Sequence, residues 1–368
     1  MLIVCSLLSL ALVSRWRTQG FLFSANPRTR FGLTQTAGGP CGVLAPVQAW
    51  ILLRLLFGGA AGAPGGDRAP SPAVVAMNDD IPLSPTQAQQ DEALVWALTN
   101  VITRCAPKGG AAQGFALVSG DEHSLHLTRV GRIEEVTAFW TSHLPQLHSP
   151  LGVLPFVYSV LLTRGLEQLR ADMDDPSSFL VGNFGHSSQE LVNLMMIGRA
   201  VTNVFDGEKV LGDAADPTAF RLKGIPAQND IGFLTLLEAL RYSTVGEYYK
   251  SPRFPIWVVG SSNHYTVMFS LDRRVGALTP KQMKQRAARS AFDEMDPENN
   301  GFIPVANLSA LLAKLGVQVP QGMTQPEVQR RLDPDGLGVM LYERVLTVLE
   351  QWGQSAMQPA QGGELSSY

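Results

Sequence analysis

The chain has 368 residues, enough for one large domain or two domains of ordinary size. Hydrophobic residues make up 45% of it and charged residues 17%, a composition that excludes a highly charged disordered protein. The net charge of −3 offers no basic excess that would indicate nucleic-acid binding. Three cysteines (Cys5, Cys41 and Cys105) are too few for a disulfide scaffold or a cysteine-rich zinc site. They favour a reducing compartment, the cytoplasm or the nucleus.

Both ends of the chain differ from its middle. Residues 1–14 form an atypical apolar N-terminus, in which the apolar run 2–13 is too short for a membrane span of about 20 residues. A secretory signal is the alternative, but no basic residue precedes the run, whereas Arg15 and Arg17 follow it. A buried segment or an unusual chain start is the favoured interpretation. The polar tail 354–368 is expected to be disordered.

Residues 15–278 are predicted to form the main domain, which contains a flexible loop or linker at 58–85 that is rich in Gly, Ala and Pro. The segment that follows Cys41 is apolar on nearly every face, as is typical of a helix in the centre of a core. Other helices are predicted from about residue 84 and over 151–169, 188–204 and 231–242. Residues 254–260 and 264–269 are predicted to form two strands joined by a hairpin turn. These elements indicate an α+β protein.

Residues 279–353 are predicted to form a separate, purely helical module. Residues 296–301 match the first half of an EF-hand loop, and residues 333–338 repeat the pattern less well. A calcium-binding loop carries a bidentate glutamate at its twelfth position, where this chain has Asn307 and Arg344. The sequence therefore predicts a degenerate EF-hand pair without a metal, which could serve as a surface for a protein partner.

Cys41 differs from the other two cysteines, which are predicted to be incidental. It would begin the buried helix, where free backbone N–H groups and the positive end of the helix dipole favour a thiolate. Gly38 and Gly39 would let a substrate backbone approach the sulfur. Gln35, six residues upstream, could donate a hydrogen bond to a developing oxyanion, with the Cys41 N–H as second donor. This arrangement is that of papain-like thiol proteases; the alternative is a cysteine that only packs.

A cysteine nucleophile needs a base, and the chain has six histidines. His264 begins the second strand of the predicted hairpin, from which it could reach a cysteine on a helix packed against the sheet. His186, just before a predicted helix start, is the second candidate, and the other four are expected at the surface. Asn263 or Thr266 could orient the imidazole of His264, and the spacing does not choose between them.

Several blocks of the sequence resemble the MINDY family of deubiquitinating cysteine proteases, most closely its member with an EF-hand-like helical insertion. One block is Gly-Gly-Pro-Cys-Gly-Val-Leu-Ala-Pro around Cys41. The matching blocks lie in order along the chain, at residues 17–24, 38–49, 158–165, 203–207, 232–242, 251–260 and 296–304. The resemblance implies a papain-like fold whose central helix, beginning with the cysteine, packs on a sheet and whose domain carries that insertion.

The resemblance also implies an activity: thiol-dependent hydrolysis of isopeptide bonds in polyubiquitin, with preference for the lysine linkage that targets proteins to the proteasome. Carried over by residue, Cys41 matches the nucleophile, His264 the general base and Gln35 the oxyanion-stabilising glutamine. No third triad residue is assigned, and no cofactor is expected. The alternative from another class is an inactive scaffold that binds partners through the degenerate EF-hand pair.

Overall fold

The structure, a computed structural model, describes residues 16–36, 38–58, 83–107, 114–121, 124–182, 184–212, 216, 219–276, 278–296, 298, 300–320 and 322–355. The predictions for the N-terminal run, for most of the linker and for nearly all of the tail therefore lie outside the described residues. The chain divides into two compact units. The larger comprises the described residues up to Lys209 and those of Arg221–Ala277, and the smaller comprises those of Val210–Phe220 and Leu278–Tyr368.

Helices and strands both contribute to the first 277 residues, which confirms the α+β class. The helices are α1 (Cys41–Phe57), α2 (Gln87–Cys105), α3 (Ile133–Ser142), α4 (Leu144–Leu147), α5 (Val153–Arg164), α6 (Leu166–Asp172), α7 (Gln189–Ile197), α8 (Leu236–Ala239) and α9 (Glu247–Lys250). The strands are β1 (Leu22–Phe23), β2 (Leu33–Thr34), β3 (Phe115–Gly120), β4 (Leu125–Val130), β5 (Glu208–Leu211), β6 (Phe220–Lys223), β7 (Gly232–Thr235), β8 (Ile256–Gly260) and β9 (Tyr265–Phe269).

Helix α1 forms the centre of the larger unit's core, as its apolar sequence predicts. All of its residues are buried except Arg54 and Leu56. Helices α2 and α7 and strands β8 and β9 pack around it. The buried Trp50 of α1 donates a hydrogen bond from Nε1 to the carbonyl oxygen of Met195 in α7, at 3.1 Å. The helix therefore has a fixed position, and so has the cysteine at its first residue.

Three strands form the sheet that packs against α1. Strand β8 lies between β7, to which it is parallel, and β9, to which it is antiparallel. Thr235 pairs with Gly260, and Gly260 pairs with Tyr265, so the ends of β7 and β8 and the start of β9 share one edge of the sheet. The predicted hairpin of β8 and β9 is confirmed.

The helix predicted over 231–242 is wrong in its first half, where β7 lies. Its apolar residues have helical spacing, but pairing with β8 decides the local structure. A Cβ atom on Gly232 would lie 2.2 Å from the Trp257 side chain, so the backbone approaches that side chain too closely for any other residue. The helix predicted over 188–204 ends early, at Ile197, because Gly198 adopts a left-handed conformation with φ of 74°.

The smaller unit contains α10 (Pro280–Asp293), β10 (Phe302–Pro304), α11 (Leu308–Leu315), α12 (Gln325–Leu332), β11 (Val339–Leu341) and α13 (Tyr342–Ser355). Strands β10 and β11 pair antiparallel through the fully buried Ile303 and Met340, which corrects the prediction of a purely helical module. Among all described helices of the chain, none combines the length and the apolar character needed to cross a bilayer.

Two loops of the smaller unit are built in the same way. The Asp296 carboxylate accepts the backbone N–H groups of Asn300 and Gly301, at 2.8 and 2.7 Å. The Asp333 carboxylate accepts those of Leu337 and Gly338, at 2.9 and 2.7 Å. Each loop then enters one of the two paired strands. Residues 280–355 of the smaller unit therefore form two helix–loop–helix halves joined by a short β ribbon.

The larger unit contains a buried ion pair between Arg164 and Asp172. Arg164 donates from Nε and Nη2 to the Asp172 carboxylate at 2.8 and 2.6 Å, and both side chains are more than nine-tenths buried. The same carboxylate accepts the Ala200 N–H. We expect Asp172→Ala to lower the free energy of unfolding by about 3–5 kcal/mol, because it leaves a buried guanidinium unpaired. Urea denaturation would measure this.

The exposed pair of Arg54 and Glu92 is the matched control for that measurement. Their side chains keep 32% and 54% of their surface in water, so solvent screens their attraction. Glu92→Ala is expected to cost less than about 1 kcal/mol. Equal losses for the two alanine variants would contradict the importance assigned to Asp172.

Candidate active site

Cys41 is the first residue of α1, as predicted, and its side chain is buried. The carbonyl oxygen of Pro40 accepts the N–H groups of Val43 and Leu44, which closes the first turn. The N–H groups of Cys41 and Gly42 have no helical acceptor at this end of a helix, and both lie close enough to the Cys41 sulfur to lower the pKa of its thiol. The N–H of Tyr265, at the start of β9, has the same effect. Three backbone N–H groups thus favour the deprotonated sulfur.

Burial dominates the protonation equilibrium of this thiol. Removal from water raises the pKa of Cys41 above its ordinary value, although the three backbone N–H groups oppose the shift. The sequence correctly indicates donors at the helix start, but those donors do not make the resting sulfur a thiolate. A neighbouring base is therefore needed to remove the proton before the sulfur can attack.

The raised pKa predicts the pH profile of Cys41 alkylation. Only the thiolate reacts with iodoacetamide, so the rate follows the deprotonated fraction, which rises as pH rises through the pKa. We expect the midpoint of the profile to lie above the value of about 8.5 for a free cysteine. Peptide-resolved mass spectrometry would measure it, and a midpoint below that value would contradict the prediction. Cys105, whose pKa burial raises to about 12, should react only after unfolding.

The segment before α7 packs directly on the loop that leads into Cys41. Ser187 Oγ donates to the carbonyl oxygen of Gly39 at 3.1 Å. A Cβ atom on Gly42 would lie 2.4 Å from the Ser187 Cβ, so the two segments are in close contact. The side chain of His186, one residue earlier, is exposed. The second candidate base is therefore near the cysteine loop, although its neighbours contact Gly39 rather than the sulfur.

The two glycines before the cysteine differ in their surroundings. Gly39 has a φ of +126°, and a Cβ atom there would lie 2.6 Å from the Gly185 carbonyl oxygen and 2.9 Å from Trp16 Nε1. The packing of the protein itself therefore requires glycine at this position. Gly38 is exposed, and a Cβ atom would meet nothing within 4 Å. Contact of Gly38 and Gly39 with a substrate stays a prediction, and Gly38 is the more open of the two.

His264 lies one residue before β9, with an exposed side chain. Along this strand Tyr265 and Val267 pack against the core, whereas Thr266 and Met268 are exposed, so successive side chains alternate between the two faces. The carbonyl oxygen of His264 accepts the Ser261 N–H at 2.8 Å, which closes the hairpin. Since the next N–H along the chain lowers the pKa of the Cys41 thiol, the structure brings the backbone of the first candidate base to the cysteine.

Gln35 follows β2 directly and is half-buried. The residues on both sides of it are held by Gln19, a fully buried glutamine that precedes β1. Nothing in the sequence marks Gln19, because a polar residue between Thr18 and Gly20 is typical of a surface turn. Only the folded structure shows its burial and its partners.

Tyr265 and Glu190 also lie at the site without having been predicted. Burial raises the pKa of Tyr265 to about 12, and the negative charges that Cys41 and Glu190 carry when deprotonated add to the effect. Glu190 lies in the first turn of α7 and is buried. Alternation along β9 could have placed Tyr265 facing the core, but not beside a carboxylate. Within the described ranges, no three His, Cys, Asp or Glu side chains come together as a metal site would require.

Comparison with protein-family profiles matches residues 6–287 to a family described as "Deubiquitinating enzyme MINDY-3/4, conserved domain". The chain belongs to this family. The resemblance seen in the sequence is thereby confirmed, and the chain is assigned to the ubiquitin carboxyl-terminal hydrolases, a class of cysteine proteases. No solved structure matches the chain significantly.

Curated MINDY proteins extend the likeness beyond that profile. Human ubiquitin carboxyl-terminal hydrolase MINDY-3 is 35% identical over 377 aligned residues, covering 91% of this chain and 76% of the relative. The Drosophila melanogaster MINDY-3 homolog is 33% identical, covering 89% and 64%. Mouse probable ubiquitin carboxyl-terminal hydrolase MINDY-4 is 37% identical, covering 70% and 34%. The MINDY-3 alignments therefore reach into the last quarter of the chain.

Proposed function

We propose that this MINDY-3/4 protein hydrolyses isopeptide bonds in polyubiquitin with Cys41 as nucleophile, in a papain-like arrangement. The observation that carries the proposal is the position of Cys41. It begins a buried helix, has three backbone N–H groups that lower the pKa of its thiol, and adjoins the strand that His264 precedes. This is the combination of nucleophile, donors and nearby base that acyl transfer requires.

The proposed reaction is a two-step acyl transfer. His264 takes the Cys41 proton, and the thiolate attacks the carbonyl carbon of the C-terminal glycine of ubiquitin. The Gln35 amide and a backbone N–H at the start of α1 stabilise the oxyanion. The imidazolium then protonates the leaving lysine amine as the C–N bond breaks and a thioester remains. His264 finally activates a water molecule, which releases ubiquitin and returns the proton to Cys41.

We propose that the preferred substrate is polyubiquitin of the proteasome-targeting linkage, because the sequence resembles the MINDY family. The cysteines support a reducing compartment, the cytoplasm or the nucleus, because the two that the structure describes, Cys41 and Cys105, are free and buried. The proposed chemistry needs no cofactor, since thiol, imidazole and amide groups supply every step.

The smaller unit is proposed to be an EF-hand-like pair that holds its shape without calcium and offers a surface to a protein partner. Its two matching loops support this proposal, since each carboxylate of Asp296 and Asp333 is already engaged by two backbone N–H groups. The residues at the twelfth position, Asn307 and Arg344, lack the bidentate carboxylate of a calcium loop.

Incubation of the full chain with tetraubiquitins of each lysine linkage tests the proposed function. The wild type should shorten chains of the proteasome-targeting linkage first, and the Cys41→Ala variant should leave all of them intact. Failure of the wild type to cleave any chain, or equal cleavage by the variant, would favour the inactive scaffold instead. Equal cleavage of every linkage by the wild type would contradict only the linkage preference.

A further inference from the structure

The side chain of Gln19 makes more hydrogen bonds than its position in a short polar stretch suggests. Its Oε1 accepts the Thr36 N–H at 2.8 Å and the Thr36 hydroxyl at 3.1 Å. Its Nε2 donates to the carbonyl oxygens of Thr34 at 3.0 Å and of Gly20 at 2.6 Å. The residue is fully buried. Each polar atom of the amide is thus satisfied, as burial of such a group demands.

Two of these hydrogen bonds are made to the peptide groups on either side of Gln35. The Thr34 carbonyl belongs to the peptide group before Gln35, and the Thr36 N–H belongs to the peptide group after it. One carboxamide therefore holds both peptide planes, with the pair of bonds that an adjacent β-strand would supply. Rotation about the N–Cα and Cα–C bonds of Gln35 would break one bond or the other. The direction in which the Gln35 side chain leaves the backbone is fixed as a result.

Gln19 is itself firmly held. Its carbonyl oxygen accepts the N–H of Val153 at the start of α5, at 3.1 Å. Two residues on, the Phe21 N–H donates to the Leu147 carbonyl oxygen at 2.8 Å. A Cβ atom on Gly20 would lie 2.1 Å from the Ser149 carbonyl oxygen, so only glycine fits between these contacts. The amide is presented from a rigid part of the core.

We propose that Gln19 is the positioning residue for the oxyanion-stabilising glutamine. It acts through Gln35 and does not touch the substrate, and the proposal rests on the function proposed above. Loss of one oxyanion donor costs about 10²–10³-fold in turnover, and a displacement of about 1 Å costs about 10²-fold. Only an amide presents a donor and an acceptor side by side, so an isosteric apolar residue would release both peptide groups.

Gln19→Met tests the proposal with a fluorogenic substrate made on the ubiquitin C-terminus. We expect kcat to fall by about 10²-fold with KM within about twofold, because Gln35 acts on the oxyanion and not on bound ubiquitin. In the Gln35→Ala background the same substitution should lower kcat by less than about threefold, since residues that act as a unit are not additive. Losses that multiply in the double variant would overturn the proposal.

Labelling by ubiquitin propargylamide separates positioning from folding. This probe adds to the Cys41 sulfur without forming an oxyanion on a carbonyl group. The Gln19→Met variant should therefore be labelled as fast as the wild type. Turnover rates are divided by the amount of enzyme that the probe labels. Loss of labelling together with turnover would make Gln19 merely structural. If the methionine variant does not fold, Gln19→Glu, which keeps the acceptor for Thr36 and loses the donor to Thr34, is tested for the same coupling.

Gln90→Leu is the matched control. Gln90 is also a buried glutamine, and its Nε2 donates to the Arg30 carbonyl oxygen at 2.5 Å, outside the segment 34–36. The Gln90→Leu substitution should lower stability. Any fold-change that it causes in kcat should multiply with the fold-change caused by Gln35→Ala, as expected for residues that act independently. Coupling of Gln35 to Gln90 as strong as that to Gln19 would overturn the proposal. Failure of the proposed function is a different result, in which the wild type does not hydrolyse the substrate or Cys41→Ala equals it.

Discussion

Cys41→Ala is expected to lower hydrolysis of a fluorogenic ubiquitin substrate by at least about 10⁴-fold while the protein stays folded. Turnover disappears because the sulfur is the only atom proposed to form the covalent intermediate. Stability should change by less than about 1 kcal/mol, since the hydrogen bond that the thiol donates, to the Gly39 carbonyl oxygen at 4.0 Å, is weak and alanine is a good helix former. Stopped assays for turnover and thermal unfolding for stability measure the two effects.

Cys105→Ala is the control that separates a catalytic thiol from a buried one. Cys105 is also free and buried, and its sulfur contacts the Leu194 carbonyl oxygen at 3.8 Å, in the contact between α2 and α7. Its replacement should leave kcat within a few-fold of wild type and should lower stability, because the core loses a sulfur atom. Retention of more than about 1% of turnover by Cys41→Ala would reject Cys41 as the nucleophile.

The start of α1 could be predicted because its determinants are local. Glycines and a proline precede the cysteine, and a run of apolar residues too long for a strand follows it. The helix then ends at Phe57, and Gly58 caps it with a left-handed φ of 75°. The hairpin of β8 and β9 could be predicted for the same reason. Both of its signals, the alternation of side chains along the strand and a short polar turn, lie within a segment of about fifteen residues.

The remainder of the site depends on contacts that are distant along the chain. Strand β7 exists because it pairs with β8, more than twenty residues later, and its own sequence has helical spacing. The Ser187 contact to Gly39 joins residues 148 positions apart, and no pattern in either segment indicates it. Burial of the Cys41 thiol is likewise a property of the packed core. The sequence therefore predicts which groups are present at the site and not the resting protonation of the sulfur.

The choice between His264 and His186 as general base has the second-largest expected effect. His264→Ala should lower kcat by about 10³–10⁴-fold, whereas His186→Ala should change it less than tenfold. The reason lies in their neighbours: the N–H of the residue after His264, in a paired strand, acts directly on the Cys41 thiol and lowers its pKa. The residue after His186 instead contacts the Gly39 carbonyl oxygen.

Kinetics on both histidine variants would decide between these assignments. KM should stay within about twofold of wild type for His264→Ala, because the imidazole moves protons and does not hold ubiquitin. Added imidazole should restore part of the turnover of this variant and none of that of Cys41→Ala, since a free base can replace a missing base but not a missing nucleophile. The reverse ranking, with a large loss for His186→Ala alone, would transfer the role to the segment that packs on Gly39. Strand β9 would then act on the Cys41 thiol only through the N–H of Tyr265, which lowers its pKa.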